Sequence, residues 1–162
     1  MSAEPYYRAC HGRWSGPFRL RVTDRAALRA ERGLPEALGW VVLSLLPGLR
    51  LSTTVHVDSP TAVRHTTRLH WGPLTLLAGE EALALDGDRL VMTGTSRTLL
   101  GQRDTVHGTG TVDPTSIHAT YEVTWMRMAV HQTGERTGSG VTLRQRGPGF
   151  ESVVHLVRQP DP

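Results

Sequence analysis

Lysine is missing from this chain of 162 residues, and all 18 basic side chains are arginine. So one-sided a choice reads as the coding bias of a GC-rich bacterial genome rather than as a binding device. The arginines are scattered singly, without the basic clusters and interleaved aromatics of a nucleic-acid surface, so a net charge of +3 does not argue for nucleic acid. Cysteine is nearly absent too. The single Cys10 excludes an internal disulfide and suits a reducing cytoplasm, which is the expected localisation. Long apolar runs are lacking: the longest, residues 34–46, is interrupted by Pro35, Glu36, Gly39 and Ser44. It falls short of the roughly 20 residues needed to cross a bilayer, so no integral membrane segment is expected. Residues 1–13 have no apolar core of a secretory signal. Also missing are a Gly-x-Ser-x-Gly elbow, a glycine-rich loop opening a helix, and the His/carboxylate spacing of a zinc site. Hydrolases and nucleotide-dependent enzymes are disfavoured, and no cofactor is expected.

Turn formers, by contrast, are plentiful: 17 glycines and 10 prolines accompany 38% hydrophobic and 20% charged residues. That balance describes a turn-rich globular chain, and its length suits one domain. Residues 13–23 alternate, with Trp14, Phe18, Leu20 and Val22 against Arg19, Arg21 and Thr23, and predict a first strand. Asp24 offers an N-cap to a helix over 25–32 that Gly33 stops. Pro35 opens a second helix over 34–46, apolar around most of its circumference, which must cover something. From residue 49 onward every segment reads as strand. The spans are 49–57, 62–71, 74–85 with a bend or bulge at Gly79, 89–96, 103–112, 116–127, 128–133, 141–146 and 150–158. So many consecutive antiparallel strands must close or stack to hide their edges. The expected fold is therefore all-β: a single up-and-down barrel of about ten strands, with two short helices after the first. The domain plan is an N-terminal leader at 1–12, a barrel at 13–158 with a helical insertion at 24–47, and a frayed tail at 159–162.

This order, strand, two short helices, then about nine antiparallel strands, resembles the fatty-acid-binding branch of the calycin superfamily. Gly12-Arg13-Trp14 is similar to the Gly-x-Trp that opens the first strand of lipocalin-type barrels. Arg158 stands where that superfamily stacks a basic side chain over the tryptophan. The resemblance implies an Arg158–Trp14 contact at the barrel base and a lipophilic ligand inside. It does not imply a fatty acid, because the last strand reads Val154-His155-Leu156-Val157-Arg158 and lacks the Arg-x-Tyr pair that holds a carboxylate head. Small bacterial barrels of similar fold also include haem binders and cyclases of polyketide pathways, a likeness of fold only.

Strand alternation places His65 with Val63, Thr67, Leu69 and Trp71 on the interior face. There it is either a core imidazole bonded to a neighbouring Thr or backbone carbonyl, or a group that orients a ligand or moves a proton. Tyr121, with Ile117, Ala119, Val123 and Trp125, either packs or offers its hydroxyl to a ligand. His65 and Tyr121 are thus the catalytic candidates. Trp40, Leu69, Trp71, Met92 and Trp125 are expected to line a ligand cavity, or else simply to fill the barrel. His155 could serve as a haem ligand if it points inward; no other metal site is expected. His56, His70, His107, His118 and His131, with Arg64, Arg68 and Arg144, belong to solvated faces. The expected function is the binding of a small lipophilic molecule. A cofactor-independent cyclase or isomerase acting on an apolar natural-product intermediate stands as the alternative, and a haem or nitric-oxide barrel as a third. A homodimer is left open.

Overall fold

A computed structural model describes residues 3–101, 103–123 and 128–160. Among them lie three helices and ten strands: α1 (Glu4–Cys10), β1 (Gly12–Val22), α2 (Arg25–Arg32), α3 (Leu34–Leu45), β2 (Leu49–Ser59), β3 (Ala62–Trp71), β4 (Leu74–Asp86), β5 (Arg89–Thr98), β6 (Arg103–Val112), β7 (Ser116–Val123), β8 (Met128–Thr137), β9 (Gly140–Gly147) and β10 (Phe150–Arg158). Each strand pairs antiparallel with its neighbours in sequence, and β1 pairs with both β2 and β10. The sheet is one closed barrel, and closure leaves no edge to recruit another chain.

The barrel base closes as the resemblance implied. Arg158 places its guanidinium carbon 5.6 Å from the Trp14 ring centroid and donates to the His11 carbonyl. Its charge lies over the π cloud of the indole. Gly12 is required beside it: its φ of +120° disfavours a side chain, and a Cβ there would meet the guanidinium at 3.2 Å.

Residues Glu4–Cys10, within the stretch read as a leader, form helix α1. Helix α1 seals the base from within, with Ala3, Tyr6, Tyr7 and Cys10 at most 5% exposed. The Ala3 amide donates to the Gly87 carbonyl at 2.7 Å in the β4–β5 turn, and the Trp14 indole N–H donates to the Cys10 carbonyl at 2.6 Å. Seven residues are too few to show a helical period, and only the barrel supplies the apolar surface that makes this segment worth ordering. Cys10 is accordingly a core residue, in contact with the cluster that holds Val63, Leu83, Leu90 and Met92.

At the opposite end, α2 and α3 stand where their capping signals put them. The Asp24 carboxylate accepts from the Ala26 and Ala27 amides at 2.8 and 3.0 Å. Leu28 is fully buried, and Trp40 lies against Phe150 with ring centroids 4.5 Å apart. Together with Leu20, Ala37 and Val130 they form a second core cluster. Only one face of α3 is covered, however. Leu34, Leu38, Val42 and Leu45 remain 50–75% exposed, because a straight helix laid on a barrel rim presents just one stripe to it. Strand β4 runs unbroken past Gly79, and the register irregularity of the β3–β4 ladder falls between Leu69 and His70.

Candidate functional site

Inward-facing side chains at both ends of the barrel are apolar, but those near its middle are polar. Strand pairing sets His65 of β3 directly across from Glu81 of β4. The His65 Nδ1 lies 3.8 Å from Glu81 Oε2, an ion-pair distance too long for a hydrogen bond. The two side chains sit deep inside the barrel, yet 20% and 27% of their surface is uncovered, so they border an internal space rather than a packed core. Gly94 of β5 makes room for this arrangement: a Cβ there would come within 2.9 Å of the Glu81 Cγ.

Helix α1 brings the third member. The Tyr7 ring leans against the His65 ring with centroids 5.7 Å apart. Both the Tyr7 hydroxyl and the His65 Nε2 are buried without a hydrogen-bond partner. Buried polar atoms are seldom left so, and each orphan costs roughly 1–3 kcal/mol. Burial drives the ionisation of all three groups in the direction of neutrality. It lowers the His65 pKa from 6.5 to about 4 and raises that of Glu81 from 4.5 to about 7. For Tyr7, burial above all, then the Cys10 and Glu81 charges, push the hydroxyl up.

Across the barrel, Tyr121 faces the same space. Its hydroxyl accepts from the Gln145 Nε2 at 2.7 Å; that amide also donates to Gln132 at 2.9 Å and accepts from Ser152 at 3.0 Å. Burial, and secondly the Glu81 charge, hold Tyr121 in its neutral form. The phenol is thus positioned by a network spanning β7 to β10 rather than free to swing. Thr53 and Thr67 face each other at 3.3 Å on the rim side of His65.

The remaining expected site residues divide. Leu69 and Met92 are buried, 6% and 7% exposed, on inward faces. Trp40 belongs to the cluster beneath α3. Trp71 shares the inward parity of His65, but it stands at the end of β3 on the rim and is 40% exposed. Trp125 lies outside the described residues. His155 is corrected: it is exposed on the outer surface and shares a 3.0 Å hydrogen bond with Thr142, so it is not an interior haem ligand. Its neighbours Val154 and Leu156 are the inward pair, at 3% exposure each, and alternation forces position 155 outward. No cluster of three metal-ligating side chains occurs among the described residues.

Glu81, Tyr7 and Gln145 were missed by sequence reasoning. For Glu81 the signal existed: Glu81, Leu83 and Leu85 alternate with Glu80, Ala82 and Ala84, but a supposed bend at Gly79 and small apolar residues on both faces blurred the parity. For Tyr7 there was none, since its position depends on α1 entering the barrel.

The fold is a closed antiparallel barrel of ten strands with a helical pair over one end, and it is similar to that of a fatty-acid-binding protein. In particular, the chain superposes on fatty-acid-binding protein 1 of Echinococcus granulosus with a TM-score of 0.59 at 9% identity, over 94% of this chain and 99% of that one. A redesigned β-barrel aligns over 99% of this chain and 100% of its own at 10% identity, with a TM-score of 0.44. No protein-family model and no curated protein sequence matches the chain. The likeness is therefore one of fold.

Proposed function

We propose that this barrel binds a small lipophilic molecule in its interior and orients it through the polar groups at mid-barrel. The observation that carries the reading is the uncovered surface of His65 and Glu81 inside a closed sheet. A filled barrel would leave them none. Apolar walls supply affinity, with Leu69, Met92 and Trp40 as lining candidates beside Trp71 at the rim; His65 and Tyr121 supply direction. The related flatworm structure is a fatty-acid-binding protein, which supports a lipophilic cargo of some kind. Entry falls to the rim under α2 and α3, where Trp71, Leu74, Leu99 and Leu100 are exposed, between 40% and 88%. The lone buried Cys10 fits a reducing cytoplasm. Titration with an environment-sensitive lipophilic dye tests the reading. Saturable, one-to-one enhancement that an apolar competitor displaces is the expected result, and a dye signal no greater than in buffer overturns it.

One observation favours an enzyme as the second reading. Glu81 has its pKa raised to about 7 beside a neutral His65 in a secluded cavity, which suits a group that gives and takes a proton near neutrality. A cyclase or isomerase working by confinement and one proton transfer needs no nucleophile motif. Turnover separates the readings: a carrier returns an unsaturated apolar substrate unchanged, whereas an enzyme rearranges it and loses that activity in Glu81→Gln while still binding dye.

A further inference from the structure

Among the described residues, charge inside this barrel is one-sided. Glu81 places a carboxylate at mid-height, and the described arginines of β1 to β7, from Arg13 to Arg103, are exposed. Of the others, Arg136 is half-buried at the base, near Tyr6 and Cys10, and Arg158 is taken up by Trp14. Neither reaches the space between His65 and Tyr121, since α1 lies between that space and the base.

Hydrogen-bonding capacity is left unused as well. His65 turns its Nδ1 toward Glu81, and its Nε2 has no partner; in the tautomer protonated at Nδ1 that nitrogen is a lone-pair acceptor. The Tyr7 hydroxyl against the same ring, 1% exposed with its residue, also lacks one. Tyr121 is already engaged by Gln145. Glu81, His65 and Tyr7 are therefore grouped at mid-barrel with unmet hydrogen-bonding capacity, and among the described residues no arginine is paired with them.

We propose that the Glu81–His65–Tyr7 cluster is the subsite for a basic nitrogen, so that the ligand is an apolar body bearing a protonated amine. The inference rests on the reading of the barrel as a ligand container and adds the chemistry of the cargo. An ammonium carries three donors and a positive charge, matching a carboxylate, an imidazole lone pair and a phenol oxygen. A carboxylate head would face the Glu81 carboxyl, with no described arginine between them, and a wholly apolar ligand would leave the buried polar atoms unmet. Burial leaves Glu81 only partly ionised near neutral pH in an empty barrel, and a bound ammonium favours its ionised form by direct Coulomb attraction in a low-dielectric site.

The test uses three dansyl-labelled probes with the same alkyl body, ending in a primary amine, a carboxylic acid and a methyl group, on the full chain at pH 8. The amine is expected to bind about tenfold or more tighter than the methyl probe, and the acid weaker than either. Glu81→Gln, close to isosteric, is expected to bring the amine down to the level of the methyl probe. Equal affinity for amine and methyl, or tightest binding of the acid, overturns the amine subsite and leaves the container reading standing. Failure of all three to bind overturns the container reading itself. The wild-type ranking decides the matter even if the variant does not fold.

Discussion

Two side chains inside the barrel couple its stability to pH in opposite directions. Glu81 has its pKa raised from 4.5 to about 7 by burial, so the folded state prefers the protonated acid. Its contribution is fully present below pH 4.5 and is lost as pH rises through 7. His65 is lowered from 6.5 to about 4 by the same cause, so its contribution is present above pH 6.5 and lost as pH falls through 4. Each shift corresponds to on the order of 3 kcal/mol, and the native state is expected to be best favoured between the two limbs. Urea unfolding across pH 4 to 9 checks this. Glu81→Gln should flatten the alkaline limb and raise stability at pH 8, and His65→Gln should flatten the acid limb. Unchanged profiles would mean that neither group is desolvated in solution.

At the scale of elements, the helices do unequal work. Helix α2 is pinned by its cap and by Leu28, whereas α3 is held by one face while Leu34, Leu38, Val42 and Leu45 stay in water. That exposed stripe gives α3 little to lose by shifting, which fits an element over the ligand entrance. Helix α1 is the opposite case: short, yet with Tyr6, Tyr7 and Cys10 in the core. Cys10 reports on it. The thiol is buried, its pKa pushed up to about 11 by burial above all, so little of the reactive thiolate exists near neutral pH. Labelling with a disulfide reagent is expected to be slower than for unfolded protein by orders of magnitude, and to accelerate in Tyr7→Ala, which loosens the helix without touching the cysteine. Rapid labelling of the native chain would show that α1 leaves the barrel readily.

For the whole molecule, closure is the governing event. Trp14 pairs with Arg158 and Val22 with Phe150, so the last ladder joins residues from opposite ends of the chain. Contacts this distant in sequence return nothing until the intervening chain is ordered, and barrels of this kind fold slowly. Refolding by stopped flow is expected on the millisecond-to-second scale. Arg158→Ala, which removes the clasp over Trp14, is expected to speed unfolding more than it slows folding, as a contact made late would. Equal slowing of folding would place the β1–β10 seam in the nucleus instead.

Local rules in the sequence determined which residues became strands, where two helices were inserted, and that the sheet had to close. Alternation, capping and turn chemistry act within a few residues and are legible one segment at a time. Hence the spans 62–71, 103–112 and 150–158 match β3, β6 and β10 to the residue, and Arg158 meets Trp14 as the resemblance implied. The site was half legible by the same means: parity put His65, Leu69, Met92 and Tyr121 inward. Parity could not say that Trp71 would end at the rim, because height along a barrel depends on register around the whole ring. Only the tertiary structure decided what makes the interior chemical. The β3–β4 register set Glu81 across from His65, and a seven-residue helix with no periodicity of its own found, inside the closed barrel, the one surface that could hold Tyr7 against that pair. Such contacts are non-local, and their energy exists only once the ring has closed around them.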